Sequence, residues 1–164
     1  MKRRIAFIAL VIILFCTTYG IASSALQAEA DHQRYPVWVL CLDGYVNARY
    51  VPQKHGDVIG FLDAGDKLET DGTIKNGFVK IFGGFESEYA WVHCQYLTGE
   101  EPEWLDVDGM IVSDGRVAAR KAIDGQRKAW VVNGSPVHVY WITDTWATTN
   151  KGFIQSQYIY MGER

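Results

Sequence analysis

The sequence predicts an all-β chain built from two small, similar units that follow an N-terminal export segment. Three observations support this fold class. From Tyr35 onward, short apolar runs alternate with glycine-containing turns, which is typical of strands rather than helices. Two segments recur in the same order, which indicates a tandem repeat. Aromatic residues make up 13% of the 164 residues, and large rings supply much of the apolar area that a small core needs.

The first thirty residues have the order of a secretory signal peptide. Residues 1–4 read MKRR, residues 5–16 form an apolar run that ends in a cysteine, and small residues follow. A basic start, an apolar core and an Ala-x-Ala site, here at residues 28–30, together direct export. The alternative is an uncleaved membrane anchor, because about twenty residues suffice to cross a bilayer. In both cases we expect an exported protein that is secreted or associated with the cell envelope.

A repeat divides the rest of the chain. Residues 44–49 (GYVNAR) match residues 115–120 (GRVAAR), and residues 90–97 (AWVHCQYL) match residues 152–159 (GFIQSQYI). Between the two copies lies an acidic stretch with one proline, which is typical of a linker. The predicted organisation is a signal peptide or N-terminal membrane anchor at residues 1–30, a first domain at 35–98, an acidic linker at 99–108 and a diverged second domain at 109–164.

The first copy carries short motifs in a fixed order. These are VNAR at residues 46–49, VIGFL at 58–62, Gly65, FVKI at 78–81 and WVHCQYL at 91–97. As a series they resemble the motifs of bacterial SH3-like domains, so the chain is similar to a tandem of such domains.

The second copy departs from this pattern. Ala118 stands in place of the asparagine, and Phe153 in place of the closing tryptophan. The resemblance implies two small SH3-like barrels that bind rather than catalyse. Members of this family commonly recognise cell-wall peptide or glycan, or contact other proteins.

The expected function is therefore a non-enzymatic, extracytoplasmic binding module for cell-wall peptide or glycan. The alternative is a protein–protein adaptor in a cell-envelope assembly. The net charge of −3 gives no whole-chain reason to expect nucleic acid as a partner. We expect contact with a membrane only through the N-terminal segment, if that segment is not cleaved.

Motifs for catalysis or cofactor binding are not evident. His93 stands beside Cys94, but neighbours on a strand point to opposite faces, so this pair does not predict a base and its nucleophile. The histidines show no spacing typical of metal ligands. We therefore expect no catalytic residue, no metal and no cofactor.

Aromatic side chains beside polar groups are the best candidates for a ligand site, because rings can stack on a sugar or a peptide. The candidates are Tyr45, Asn47, Arg49, Tyr50, Arg120, Tyr140 and Trp146. The alternative for Asn47 and both arginines is that they satisfy loop backbone groups, and the alternative for Trp146 is that it fills a core. Strand alternation places His138, Tyr140 and Ile142 on one face.

Two further features are left open by the sequence. Cys41 and Cys94 are an even pair in an exported chain, which makes a disulfide a candidate, provided that their Cα atoms lie within about 7 Å. The basic residues between 116 and 128 predict either a solvated loop or a contact with anionic polymer, lipid headgroups or the acidic first unit of another copy.

Overall fold

The computed structural model describes residues 33–162, so the predicted export segment at residues 1–30 lies outside the described residues. Residues 35–164 belong to one compact unit. The described part of this unit is all β, with fourteen strands and two single-turn 3-10 helices, which confirms the predicted fold class. Between residues 33 and 162 there is no helix with the length and apolar character that a membrane crossing needs.

The first half, residues 35–98, forms one antiparallel sheet. Its strands are β1 (Tyr35–Val39), β2 (Tyr45–Arg49), β3 (Val58–Asp63), β4 (Lys67–Lys75), β5 (Phe78–Phe82), β6 (Tyr89–His93) and β7 (Leu97–Thr98). Across the sheet the order is β3-β2-β6-β5-β4-β1-β7. A 3-10 helix, Cys94–Tyr96, connects β6 to β7.

The second half repeats this plan strand for strand. Its strands are β8 (Glu103–Ile111), β9 (Arg116–Arg120), β10 (Arg127–Val132), β11 (Pro136–Ile142), β12 (Trp146–Thr149), β13 (Gly152–Gln155) and β14 (Ile159–Tyr160). Their order, β10-β9-β13-β12-β11-β8-β14, is the order of the first sheet. A second 3-10 helix, Ser156–Tyr158, again precedes the last strand. The internal repeat seen in the sequence is therefore a repeat of structure.

Strand β8 begins inside the stretch assigned above to the linker. Glu103 to Asp108 belong to this strand and pair with β11. The reason is visible in the sequence, because Leu105 and Val107 alternate with polar residues, and both pack against the core of the second half. The connection between the halves is thus limited to the few residues before Glu103.

Each sheet curves around a core of its own. In the first half, Leu62 of edge strand β3 and Val92 of central strand β6 belong to the same buried cluster, and Leu97 of β7 at the opposite edge packs against it. Strands from both edges reach one core only if the sheet folds back on itself, as it does in a small barrel. An equivalent cluster fills the second half.

The tight hairpin between β4 and β5 turns at Asn76 and Gly77. Both residues have positive φ, at 53° and 78°, which is the geometry of the two-residue Asn-Gly turn that matches strand twist. The Asn76 amide nitrogen donates to the carbonyl of Pro52 at 3.2 Å. The hairpin tip is thereby tied to the loop that follows β2.

A third apolar cluster joins the two halves. Leu40 of the first half is buried together with Trp146 and Phe153 of the second half, and Leu42 and Ile123 pack against the cluster. Trp146 is therefore an internal residue, and its selection as a surface ligand candidate is wrong. The alternative interpretation, that it fills a core, is confirmed, although the core in question lies between the halves rather than inside one sheet.

Polar and steric contacts fix the same interface. The Ile123 N–H donates to the carbonyl of Gln95 at 3.2 Å. Both carboxylate oxygens of Glu100 accept hydrogen bonds from Thr145, one from its backbone N–H at 2.9 Å and one from its hydroxyl. A Cβ built on Gly65 would lie 2.4 Å from the ring of Trp141, so this close approach requires glycine.

Candidate functional site

An open groove of about 820 Å3 lies on the outer face of the first half. It is bounded by β2, by the loop that follows β2, by the tip of the β4–β5 hairpin and by the first 3-10 helix. Side chains that line it include Tyr45, Asn47, Arg49, Phe78, His93 and Tyr96. Three of the residues selected from the sequence, Tyr45, Asn47 and Arg49, are thus brought together.

Strand alternation explains why these three side chains share one face. They stand at alternate positions of β2, and the residues between them, Val46 and Ala48, are buried in the first core. The strand thus presents an aromatic ring, an amide and a guanidinium in one row.

The walls of the groove are aromatic. The rings of Phe78 and His93 meet edge to face with centroids 5.0 Å apart, and His93 contacts Tyr96 in the same way at 6.3 Å. Tyr45 packs edge-on against Phe61 at 5.2 Å. Such contacts stabilise a fixed ring arrangement, so the groove has a preformed apolar surface.

Arg49 holds the groove loop in place. Its guanidinium donates to the carbonyl of Gly56 at 2.6 Å, and at the equivalent position of the second half Arg120 donates to the carbonyl of Gly125 at 2.9 Å. Both arginines are half-buried. For this pair the alternative interpretation is confirmed, since each satisfies a loop carbonyl.

His93 is a groove residue that sequence reasoning weighed as a catalytic base and as a metal ligand, but not as a residue of a binding site. Its Nδ1 accepts the N–H of Gln95 and so caps the 3-10 helix, and burial lowers the pKa of the imidazole below its usual value. A neutral ring that accepts at Nδ1 carries its proton on Nε2. The signal in the sequence was the spacing of His93 and Gln95, because side chains two residues apart in a strand lie on the same face.

The two cysteines are not bridged. Cys41 belongs to the buried core of the first half, whereas Cys94 is exposed at the start of the 3-10 helix, and both thiols are free. The candidate disulfide is therefore absent from the structure, because one thiol points into the core and the other lies at the surface. Burial raises the pKa of Cys41 to about 11, so this thiol stays protonated at neutral pH.

The equivalent site of the second half is partly covered by the first half. The repeat aligns Trp146 with Phe78 and Ala118 with Asn47, and the ring of Trp146 is covered by Leu40 from the first half. Leu42 packs against the same cluster. Of these two equivalent surfaces, the one on the first half is an open groove, and the one on the second half contributes Trp146 to the joint between the halves.

No family model and no curated protein matches this sequence. Two solved structures are similar to it. NlpC1 from Trichomonas vaginalis has a TM-score of 0.33 and 16% identity over 77% of this chain and 45% of that chain. NlpC2 from Trichomonas vaginalis has a TM-score of 0.33 and 17% identity over 78% of this chain and 46% of that chain. This chain spans less than half the length of either protein, and at these values no activity or residue role is transferred from them.

The remaining aromatic candidates lie outside the groove. Tyr50 is exposed but does not line it. Tyr140 belongs to a patch on the second half, where it stacks with Trp104 at 6.5 Å and contacts His138 at 5.0 Å. The structure therefore does not unite all seven candidates into one site.

His138 is held between two carboxylates. Its ring nitrogens lie 2.8 Å from Asp108 and 2.9 Å from Asp106. Hydrogen bonds to Asp108 and to Asp106 raise the pKa of this imidazole. Among residues 33–162 no group of three or more His, Cys, Asp or Glu side chains is arranged to hold a metal ion.

Proposed function

We propose that this chain is a non-enzymatic binding module of the cell envelope, built as a tandem of SH3-like domains, with the groove of the first half as its ligand site. The proposed ligand is cell-wall peptide or glycan. The observation that carries the proposal is the difference between the two copies, because the first half has an open groove lined by aromatic and polar side chains, whereas Leu40 of the first half packs on Trp146 at the equivalent place of the second half. An exported chain is part of the proposal, and the signal-peptide pattern of residues 1–30 supports it.

The chemistry of the groove supports binding. Rings at Tyr45 and Tyr96 offer apolar surface for sugar faces or aliphatic side chains, while Asn47 and Gln95 offer amide donors and acceptors. The lining combines these rings with polar and charged side chains, among them Asp43 and Lys54, and such groups fix the orientation of a ligand.

The second copy itself suggests the test variants. Asn47→Ala and His93→Gln introduce the residues that stand at the equivalent positions, Ala118 and Gln155, where the same backbone accommodates them. The double variant removes the amide of Asn47 and replaces the imidazole of His93 with an amide of different shape; one lost hydrogen bond of about 1 kcal/mol corresponds to an increase in Kd of about fivefold, and a second to about thirtyfold.

The assay measures retention on purified sacculi and the affinity for soluble muropeptides released from them. Sacculi stripped of their peptides separate a peptide ligand from a glycan ligand. Tyr160→Ala is the control, because Tyr160 is exposed to a similar degree as Tyr45, 53% against 56%, but lies on the second half. Equal retention of the double variant and the wild type would refute the groove as the site.

A protein–protein adaptor is the second candidate, and the exposed aromatic patch favours it. Trp104 is 54% exposed and stacks on Tyr140, and aromatic residues are enriched at protein interfaces. If the chain fails to bind sacculi but co-purifies with an envelope protein, and Trp104→Ala abolishes that co-purification, the adaptor function replaces wall binding.

A further inference from the structure

A cationic aromatic cluster lies on the edge of the second sheet, away from the groove. Trp130 of edge strand β10 is 45% exposed. The guanidinium carbon of Arg116 lies 4.7 Å from the centre of its ring, and that of Arg127 lies 4.5 Å from it. The two guanidinium groups therefore share one ring as their contact.

Both guanidinium groups have N–H donors that are available to a ligand. Among the described residues, no carboxylate lies in ion-pair contact with Arg116 or Arg127. Lys128 stands next to Arg127 on the same strand and is also exposed. By contrast, Arg120 uses its guanidinium on the carbonyl of Gly125. Arg120 thus supports a loop, whereas Arg116, Arg127 and Lys128 face outward.

The first half shows that the fold does not require this cluster. The repeat places Phe61 at the position of Trp130 and Tyr45 at the position of Arg116, and those two rings simply pack edge to face. The second half replaces this neutral aromatic pair with a larger ring and two cations. The two guanidinium groups repel each other, and the attraction of each to the ring of Trp130 offsets part of that repulsion.

We propose that Arg116, Arg127 and Trp130 form a second binding site, which takes a linear anionic polymer that carries phosphate groups. The planar fork of each guanidinium matches two phosphate oxygens, and stacking on Trp130 orients both forks in advance. A polymer presents phosphates in sequence, so two closely spaced forks can engage it at two points. The site is independent of the proposed groove, since the two share no residue.

Charge complementarity favours a polymer over a membrane surface. Insertion into a bilayer uses the apolar face of a tryptophan, but here the guanidinium groups of Arg116 and Arg127 already occupy the ring of Trp130. The surface therefore offers donors and positive charge to the solvent. A hydrophilic phosphate chain can accept hydrogen bonds from these donors and neutralise the positive charge without displacing the stacked arginines.

The test uses the full chain and linear inorganic polyphosphate as the probe, in low salt. Arg116→Gln with Arg127→Gln is expected to raise Kd about tenfold or more, and to reduce the slope of log K against log salt by about 1.5 because two phosphate contacts are lost. Arg116→Lys with Arg127→Lys keeps both charges but removes the forks, and it is expected to raise Kd several-fold with the salt slope unchanged.

Lys67→Gln with Lys75→Gln is the matched control. It removes the same charge from the first half, and Lys67 also lies over a tryptophan ring, that of Trp38. Equal losses in the control and the arginine double variant would overturn the site, because net charge alone would then explain binding. Three other results would also overturn the site. These are a Kd of the lysine double variant within twofold of the wild type, binding of poly-glutamate as tight as that of polyphosphate, and binding to anionic phospholipid vesicles but not to polyphosphate.

The arginine cluster and the groove can be refuted independently of each other. Asn47→Ala with His93→Gln leaves the arginine cluster intact and is expected to bind polyphosphate like the wild type. A change in polyphosphate affinity in that variant would contradict two independent sites. Thermal unfolding of every variant shows whether a loss of binding reflects a loss of fold.

Discussion

Leu40 is expected to stabilise the chain across the joint between its halves. It is fully buried, although its main partners, Trp146 and Phe153, belong to the other half. Leu40→Ala removes the side chain and leaves a cavity at this interface. Substitutions of this kind lower the free energy of unfolding by 2–5 kcal/mol, with the value set by how far the surroundings collapse. Large rigid rings on one side limit that collapse, so we expect about 3 kcal/mol and a Tm about 10 °C lower.

The repeat provides a matched control for this substitution. The N–H of Leu40 donates to the carbonyl of Tyr96, and at the equivalent position Val112 donates to the carbonyl of Tyr158, both at 2.9 Å. Val112 is nevertheless 50% exposed. Val112→Ala is therefore expected to change the free energy of unfolding by less than about 0.5 kcal/mol.

Urea unfolding followed by tryptophan fluorescence and by far-UV circular dichroism measures both variants. Coincident transitions in the wild type would indicate that the halves unfold as one cooperative unit. The reasoning fails if Leu40→Ala is as stable as Val112→Ala. It also fails if the wild-type halves unfold in two separate steps, since a joint that contributes this much would couple them.

Three further predictions concern ionisable groups. Thiol titration under native conditions should modify Cys94 readily and Cys41 only after unfolding, because Cys41 is buried with a pKa near 11; two unreactive thiols in denaturant would contradict this. Burial lowers the pKa of His93. Its contribution to stability is therefore present above the usual histidine pKa and is lost as pH falls through the pKa of the folded state. His93→Gln should make the free energy of unfolding less dependent on pH in this range. Burial acts to raise the pKa of Glu100, but hydrogen bonds from Thr145 outweigh this effect and lower the pKa. The contribution of Glu100 to the free energy of unfolding is therefore present above the usual carboxyl pKa and is lost as pH falls. If Glu100→Gln loses stability at acidic pH in the same way as the wild type, this role is excluded.

The repeat made the strand plan predictable from the sequence. Matching segments at fixed positions implied equivalent strands, and the two sheets have the same strand order. The alternation in β2 also explains why Tyr45, Asn47 and Arg49 share one face in the structure, although they were not grouped in this way from the sequence. These predictions depend on local periodicity, which the sequence contains directly.

Two features could not be obtained in this way. The burial of Trp146 depends on which surfaces of the two halves meet, and no periodicity within one strand encodes that choice. The alternation in β11 fails at an irregularity between Val139 and Trp141, after which Ile142 packs against the second core instead of sharing a face with His138 and Tyr140. A bulge of this kind shifts the phase of a strand by one residue.

The joint between the halves has a directional character. One face of the first half, at Leu40, meets a different face of the second half, at Trp146, so the contact is head to tail. Contacts of this type do not close on themselves and can in principle propagate to further units. The two surfaces left at the ends are the groove, which carries the polar side chains of Asn47 and His93, and Val112, which is shorter than Leu40. We expect those polar and shortened side chains to make the docking of a further unit less favourable. The residues proposed to select a ligand would then also oppose end-to-end association of molecules.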